Sequence, residues 1–142
     1  VILYIAKEKV KFSLFLFPYE NLKENQPVTL ADSTICPLAS LEDIEAMKAV
    51  AISQRGSVKD FVDMYYILTK TGHHFDDILK KVIKKYGLEN TYEYQLKTSF
   101  VYFEDAENEA DNIIMINPDK KIEKLEKKEW QKIKMFFQGF IR

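Results

Sequence analysis

The chain has 142 residues, 46% hydrophobic and 13% aromatic, which is enough for one globular core and too little for two independent ones. A formal net charge of −1 excludes a global basic field, so any phosphate binding must come from local placement of Lys and Arg. A single cysteine, Cys36, excludes an internal disulfide, speaks against a cysteine metal site and fits a cytoplasmic protein, and no apolar run is long enough to span a membrane.

Val1 opens the chain with no initiator methionine and directly in a strand-like run, which is expected of a cut within a larger protein. Val1 to Ala6 and Val10 to Phe17 are short runs rich in β-branched and aromatic residues. They read as a hairpin turned by Lys7, Glu8 and Lys9, with the second strand covered on both faces. Pro18 to Pro27 is a polar loop, and Val28 to Leu30 with Thr34 to Cys36 could add one more short strand.

From Ser40 the pattern turns helical. Ser40, Leu41, Glu42, Asp43 forms a capping-box-like start, and Gly56 is a natural stop for a first helix reaching Gln54. Ser57, Val58, Lys59, Asp60 repeats the start signal for a second helix to about Lys70. A third helix begins near Phe75, with Asp76 and Asp77 in its first turn and Lys84 and Lys85 in its last, as the helix dipole favours. A fourth spans Asn90 to Phe103, Glu104 to Asp111 is an acidic connector, and Ile113 to Ile116 is a short apolar run. Asn117, Pro118 and Asp119 break the chain before a final helix over Lys120 to Phe140. The expected class is α+β, mostly helical: a small β-sheet remnant over 1–36, then a helical bundle over 37–142.

One anomaly stands out. On a 3.6-residue wheel Leu41, Ile44, Ala51 and Ile52 form the inward stripe of the first helix, and Lys48 and Arg55 fall on it. Unpaired buried cations are very costly, so either carboxylates meet them inside or the stripe lines a cleft that binds an anion. Asp60 and Asp63 on the next helix are candidate partners, and a helix N-terminus beside Arg55 and Lys59 is a candidate phosphate site. On the plainer reading Asp60 completes a capping box, Asp63 pairs with Lys59 on a solvated face, and Lys48 snorkels past the core edge. Pattern alone favours the plainer reading.

The stretch LASLEDIEAMKAVAISQRGSVKDFVDMYYIL, Leu38 to Leu68, closely resembles the signature of the AbiEii/AbiGii family of nucleotidyltransferase-like toxins. It carries the family's Ser-Leu-Glu-Asp-Ile start, a Lys on the first helix, then Arg-Gly, Lys-Asp-Phe and a second Asp before Met and Tyr. VKFSLFLFPYENL, FVYFEDAE and EWQKIKMFFQGF are similar to flanking parts of the family, so the resemblance covers nearly the whole chain. It implies a polymerase-β-like fold, with 1–36 as a remnant of the catalytic sheet and 37–142 as the helical C-terminal domain.

It further implies binding of a nucleoside triphosphate with Mg²⁺, nucleotidyl transfer to an acceptor such as tRNA, a cognate antitoxin partner and a role in abortive infection as phage defence. Carried over by motif position, Lys48 would contact the phosphates, Asp63 would be the motif carboxylate with Asp60 as the other candidate, and Arg55 and Lys59 would bind or position phosphate. The family's metal-holding Gly-Ser and paired Asp motif has no match here, and Ser13 stands where many relatives place a third strand acid. The metal site would therefore precede Val1, and the isolated chain is not expected to be catalytic. The other expectation, from a different class, is a non-catalytic helical module that binds an antitoxin or RNA.

The remaining candidates read plainly. His73 and His74 form an exposed turn rather than a metal site. Lys120 to Lys134 is a solvated helix face with Ile122, Leu125 and Ile133 inward. Trp130, Phe136, Phe137 and Phe140, like Tyr92, Tyr94 and Tyr102, are core or interface. A strand edge at Val1 to Ile5 would be sticky and could support homo-oligomers.

Overall fold

The computed structural model describes residues 2–5, 10–14, 16–111, 113–116 and 122–142. Two antiparallel hairpins come first. β1 (Ile2–Ile5) pairs with β2 (Val10–Ser13) in the register Ile2↔Ser13, and β3 (Gln26–Thr29) pairs with β4 (Ile35–Leu38) in the register Gln26↔Leu38. Thus the single extra strand expected near 28–36 is a hairpin of its own, and position 36 falls inside β4. The turn expected at Lys7 to Lys9 lies outside the described residues. Leu14 and Leu16 are exposed, so the cover expected on both faces of the second run is not found there.

The bundle follows as α1 (Leu41–Arg55), α2 (Val58–Thr71), α3 (Phe75–Tyr86), α4 (Tyr92–Phe100), α5 (Glu104–Ala110) and α6 (Lys127–Phe140). The class is α+β and mostly helical, as the periodicity predicts. Ser40 caps α1, its hydroxyl accepting from the Asp43 N–H, and α1 ends at Gly56, whose φ of 52° only glycine adopts without strain.

Three expectations need correction. The acidic stretch 104–111 is α5 rather than a connector: Val101 to Phe103 interrupt the fourth helix, Phe100 and Phe103 both turn toward the core, and Glu104, Asp105 and Glu107 suit a new helix N-terminus. The final helix starts at Lys127, because Ile122–Lys124 forms strand β6 against β5 (Ile114–Ile116). Ile122 is accordingly exposed, while Leu125 and Ile133 are buried as expected.

The third correction concerns α1. Its buried residues are Asp43, Glu45, Ala46, Ala49, Val50 and Ile52, whereas Leu41 is exposed and Ile44 and Ala51 are only half-buried. The helix packs against α2, α3 and α4 together, so a single stripe cannot describe its cover. Carboxylates enter because cations wait for them inside. The Lys85 ammonium reaches Asp43 Oδ1 at 2.5 Å with both side chains fully buried.

Aromatic rings fill the centre. Phe61 on α2 lies 5.1 Å from Phe103, 6.0 Å from Trp130 and 5.3 Å from Phe137, centroid to centroid, mostly edge-to-face. The Trp130 indole donates to Glu107 at 3.1 Å. Trp130 and Phe137 are buried, with Phe136 and Phe140 half-buried against them, while Tyr94 is exposed. Among the described residues no helix is long and apolar enough to cross a membrane.

Candidate functional site

Lys48 and Arg55 stand seven residues apart on α1, on the flank facing α2. Because Gly56 turns the chain within one residue, α2 starts directly beside Arg55 and brings Asp60 back against it. The Arg55 guanidinium grips the Asp60 carboxylate with both prongs, Nε to Oδ2 at 2.7 Å and an Nη to Oδ1 at 3.0 Å. Ser57 Oγ donates to Oδ2 at 2.9 Å, and Lys48 Nζ reaches Oδ1 at 3.2 Å. Asp60 is fully buried, so these four bonds replace the water it lost.

Asp60 is therefore not the carboxylate of a capping box. Ser57 makes no side-chain cap to the helix backbone; its hydroxyl goes to Asp60 instead. Nor does Asp63 pair with Lys59. Its Oδ2 holds Lys48 Nζ at 2.5 Å, and its side chain is half exposed. Lys48 is half-buried, and Arg55, expected on the inward stripe, is exposed: it reaches in only to the buried Asp60, and both cations line a cleft.

Protonation follows from these contacts. Burial pushes the Asp60 carboxyl up, but Arg55, Ser57 and Lys48 outweigh it and hold the group below its ordinary value. Burial opposes the charge on Lys48, while Asp63 and Asp60 raise its pKa overall. Asp60, and more weakly Glu109 on α5, raise that of Arg55. All are ionised near neutrality.

The cleft beside this cluster encloses about 820 Å³ and is lined by Lys48, Arg55, Lys59, Asp60 and Asp63 on one side and by Asn108, Glu109 and Ile113 on the other. The geometry gathers all five residues singled out in the sequence. Lys59 is exposed and has no ion-pair partner among the described residues. Ser57, expected only as the cap of the second helix, and Asn108 and Glu109 also reach the cleft. The Ser57 to Asp60 spacing was a usable signal, whereas Asn108 and Glu109 sit in a stretch read as a connector.

The cleft can exchange one anion for another. Asp60 is locked by four donors, whereas Asp63 is at the surface and bonded to Lys48 alone. A phosphate oxygen could take Asp63's place on Lys48 while Asp60 keeps Lys48 and Arg55 in position. A divalent cation does not fit the same residues: both Asp60 oxygens are occupied by cationic and hydroxyl donors, and among the described residues no group of three acids, histidines or cysteines could hold a metal.

Two carboxylates set against cations of the preceding helix thus line one open cleft. The family model described as nucleotidyl transferase AbiEii toxin, type IV toxin–antitoxin system, matches residues 5–141. The chain belongs to that family. It is also 39% identical over 104 residues to an uncharacterized protein of Aquifex aeolicus (strain VF5), an alignment covering 71% of this chain and 47% of the relative. The chain thus spans about half the length of the curated relative it matches. No solved structure matches it.

Proposed function

We propose that this chain forms the helical half of a nucleotide site in a nucleotidyltransferase toxin. The observation that carries the reading is Lys48, half-buried on a cleft wall and shared between a fully buried aspartate and a half-exposed one. In this reading Lys48 contacts the triphosphate of a nucleoside triphosphate, Arg55 and Lys59 position it, and Asp60 acts through Lys48 and Arg55 as a positioning residue. Asp63, half exposed at the cleft, is the carboxylate best placed to approach the ligand or the acceptor hydroxyl. The acceptor would be an RNA such as tRNA, and the cognate antitoxin would be the protein partner, in a cytoplasmic phage-defence system. Carboxylates for the accompanying Mg²⁺ would come from the rest of a longer protein, which is why this chain alone is proposed to bind but not to transfer.

Calorimetry with a nucleoside triphosphate and Mg²⁺ tests this. The chain should bind, the Lys48→Ala variant should lose about tenfold or more in affinity, roughly the weight of one charge-assisted contact, and Asp63→Ala should bind the triphosphate no more weakly. Equal binding by the chain and by Lys48→Ala would refute the assignment. Binding of a cognate antitoxin with no heat from triphosphate would favour the non-catalytic interaction module instead.

A further inference from the structure

A second charged cleft lies where α1 meets α3 rather than α2. It encloses about 320 Å³ and is lined by Lys23, Lys80, Lys81 and Lys84 together with Glu42 and His73. At its base the fully buried carboxylate of Glu45 receives Lys81 Nζ at 2.5 Å and faces His73 Nδ1 at 3.0 and 3.1 Å from its two oxygens. Lys81 Nζ and His73 Nδ1 are themselves 2.8 Å apart. His73 is thus half-buried against Glu45, not in the exposed turn expected from the sequence, while the backbone N–H of His74 donates to Asp77 at the start of α3.

The lysines around this cleft differ in how they are paired. Glu45 answers Lys81, and Glu42 answers Lys23 at 2.6 Å. Lys80 and Lys84 are exposed and form no ion pair among the described residues. Asp76 and Asp77 stand in the first turn of α3, and Asp77 spends one oxygen on the His74 N–H. This leaves Lys80 and Lys84 as exposed ammonium groups at the cleft that no carboxylate holds among the described residues.

Lys81 is also preorganised. Its partner cannot swing away, because Glu45 is locked in the core and takes one of the three donors of the ammonium. Lys80 and Lys84 are one helical turn apart, with about 5–6 Å between their Cβ atoms, so they present charges in a row. A single phosphate would need one or two of these cations. A chain of phosphates can use the row.

We propose that the lysine-lined cleft between α1 and α3 binds the sugar–phosphate backbone of a single nucleic-acid strand, with Lys80 and Lys84 on successive phosphates and Lys81, set by Glu45, on a third. This extends the reading above by giving a nucleic-acid acceptor a place of its own, and it is tested without any triphosphate.

The test is fluorescence anisotropy of a labelled single-stranded RNA of mixed sequence, titrated with the chain at several salt concentrations. A Lys80→Glu/Lys84→Glu variant is compared with Lys124→Glu/Lys128→Glu, the same charge change at exposed positions of β6 and α6. The cleft variant should lose tenfold or more in affinity, and its slope of log affinity against log salt should fall by about 1.4, the loss expected of two phosphate contacts on a single strand. The control should bind as the unaltered chain does.

Equal loss in both variants, or no RNA binding by the unaltered chain, would overturn the inference. So would calorimetric binding of pyrophosphate that the cleft variant loses while RNA binding stays intact, since the cleft would then hold a small phosphate. Should charge reversal disturb α3 by circular dichroism, Lys80→Gln/Lys84→Gln repeats the comparison. A chain that binds RNA in this way but gives no triphosphate heat sinks the proposed function and leaves this inference standing.

Discussion

Asp43 is fully buried and still ionised, because every lone pair it lost to burial has a donor. Burial pushes its carboxyl up. Lys85 and Ser40 Oγ at 2.5 Å each, and the backbone N–H groups of Leu22 and Lys23 at 2.8 and 3.3 Å, bring it down to about 2 from an ordinary 3.8. A carboxyl depressed in the folded state adds stability that is present above the unfolded value and lost as pH falls through the folded one. That loss falls between about pH 4 and pH 2 and amounts to about 2 kcal/mol. Urea unfolding of the chain and of Asp43→Asn should therefore converge across this interval; curves that stay parallel would refute it. Asp43 also shows where reading by pattern stops. The sequence marks it as the third-position acid of a helix start, and Ser40 does accept its N–H, but a partner 42 residues away leaves no local trace. Lys48 and Arg55 were legible because a cation on an apolar stripe is itself a local inconsistency.

At the scale of elements, α1, α2 and α3 were visible from start and stop signals within a residue or two, since caps are written in adjacent residues. The α4–α5 break and the β5–β6 hairpin were not. Lys120 to Phe140 has helical periodicity throughout, and only the pairing of Ile122 with Ile116 on another strand pulls its first part out. The consequence is a poorly capped helix. Glu126 occupies the N-cap of α6 with φ −75° and ψ 145°, and its side chain makes no cap bond. Glu126→Ser supplies a hydroxyl of the right reach and should stabilise the chain by about 0.5–1 kcal/mol in urea unfolding. No gain would mean that the helix N-terminus is already solvated as well as a serine could satisfy it.

For the molecule as a whole, the sequence named the core aromatics but not their arrangement. Phe137 is fully buried, 5.3 Å from Phe61 and 5.5 Å from Phe100, joining α6 to α2 and α4. Phe137→Ala should cost about 3–5 kcal/mol, a large part of the about 5–15 kcal/mol that holds a domain folded; a thermal midpoint close to that of the unaltered chain would contradict this. The clefts were legible only in part, because each is closed by helices distant in sequence.

The two buried pairs between α1 and α3 also read as a code. Asp43 meets Lys85 and Glu45 meets Lys81, so the helices run antiparallel with acid facing base at two rungs. Sliding α3 by one turn would still give Asp43 a lysine, Lys81, but would set Asp77 against Glu45. Sliding it the other way gives Glu45 its lysine, Lys85, and leaves Asp43 facing the segment past the helix end that carries Glu89. Each slipped alignment strands a buried acid, at about 3–5 kcal/mol if it stays charged, so the same residues that make the interior polar allow the two helices one alignment.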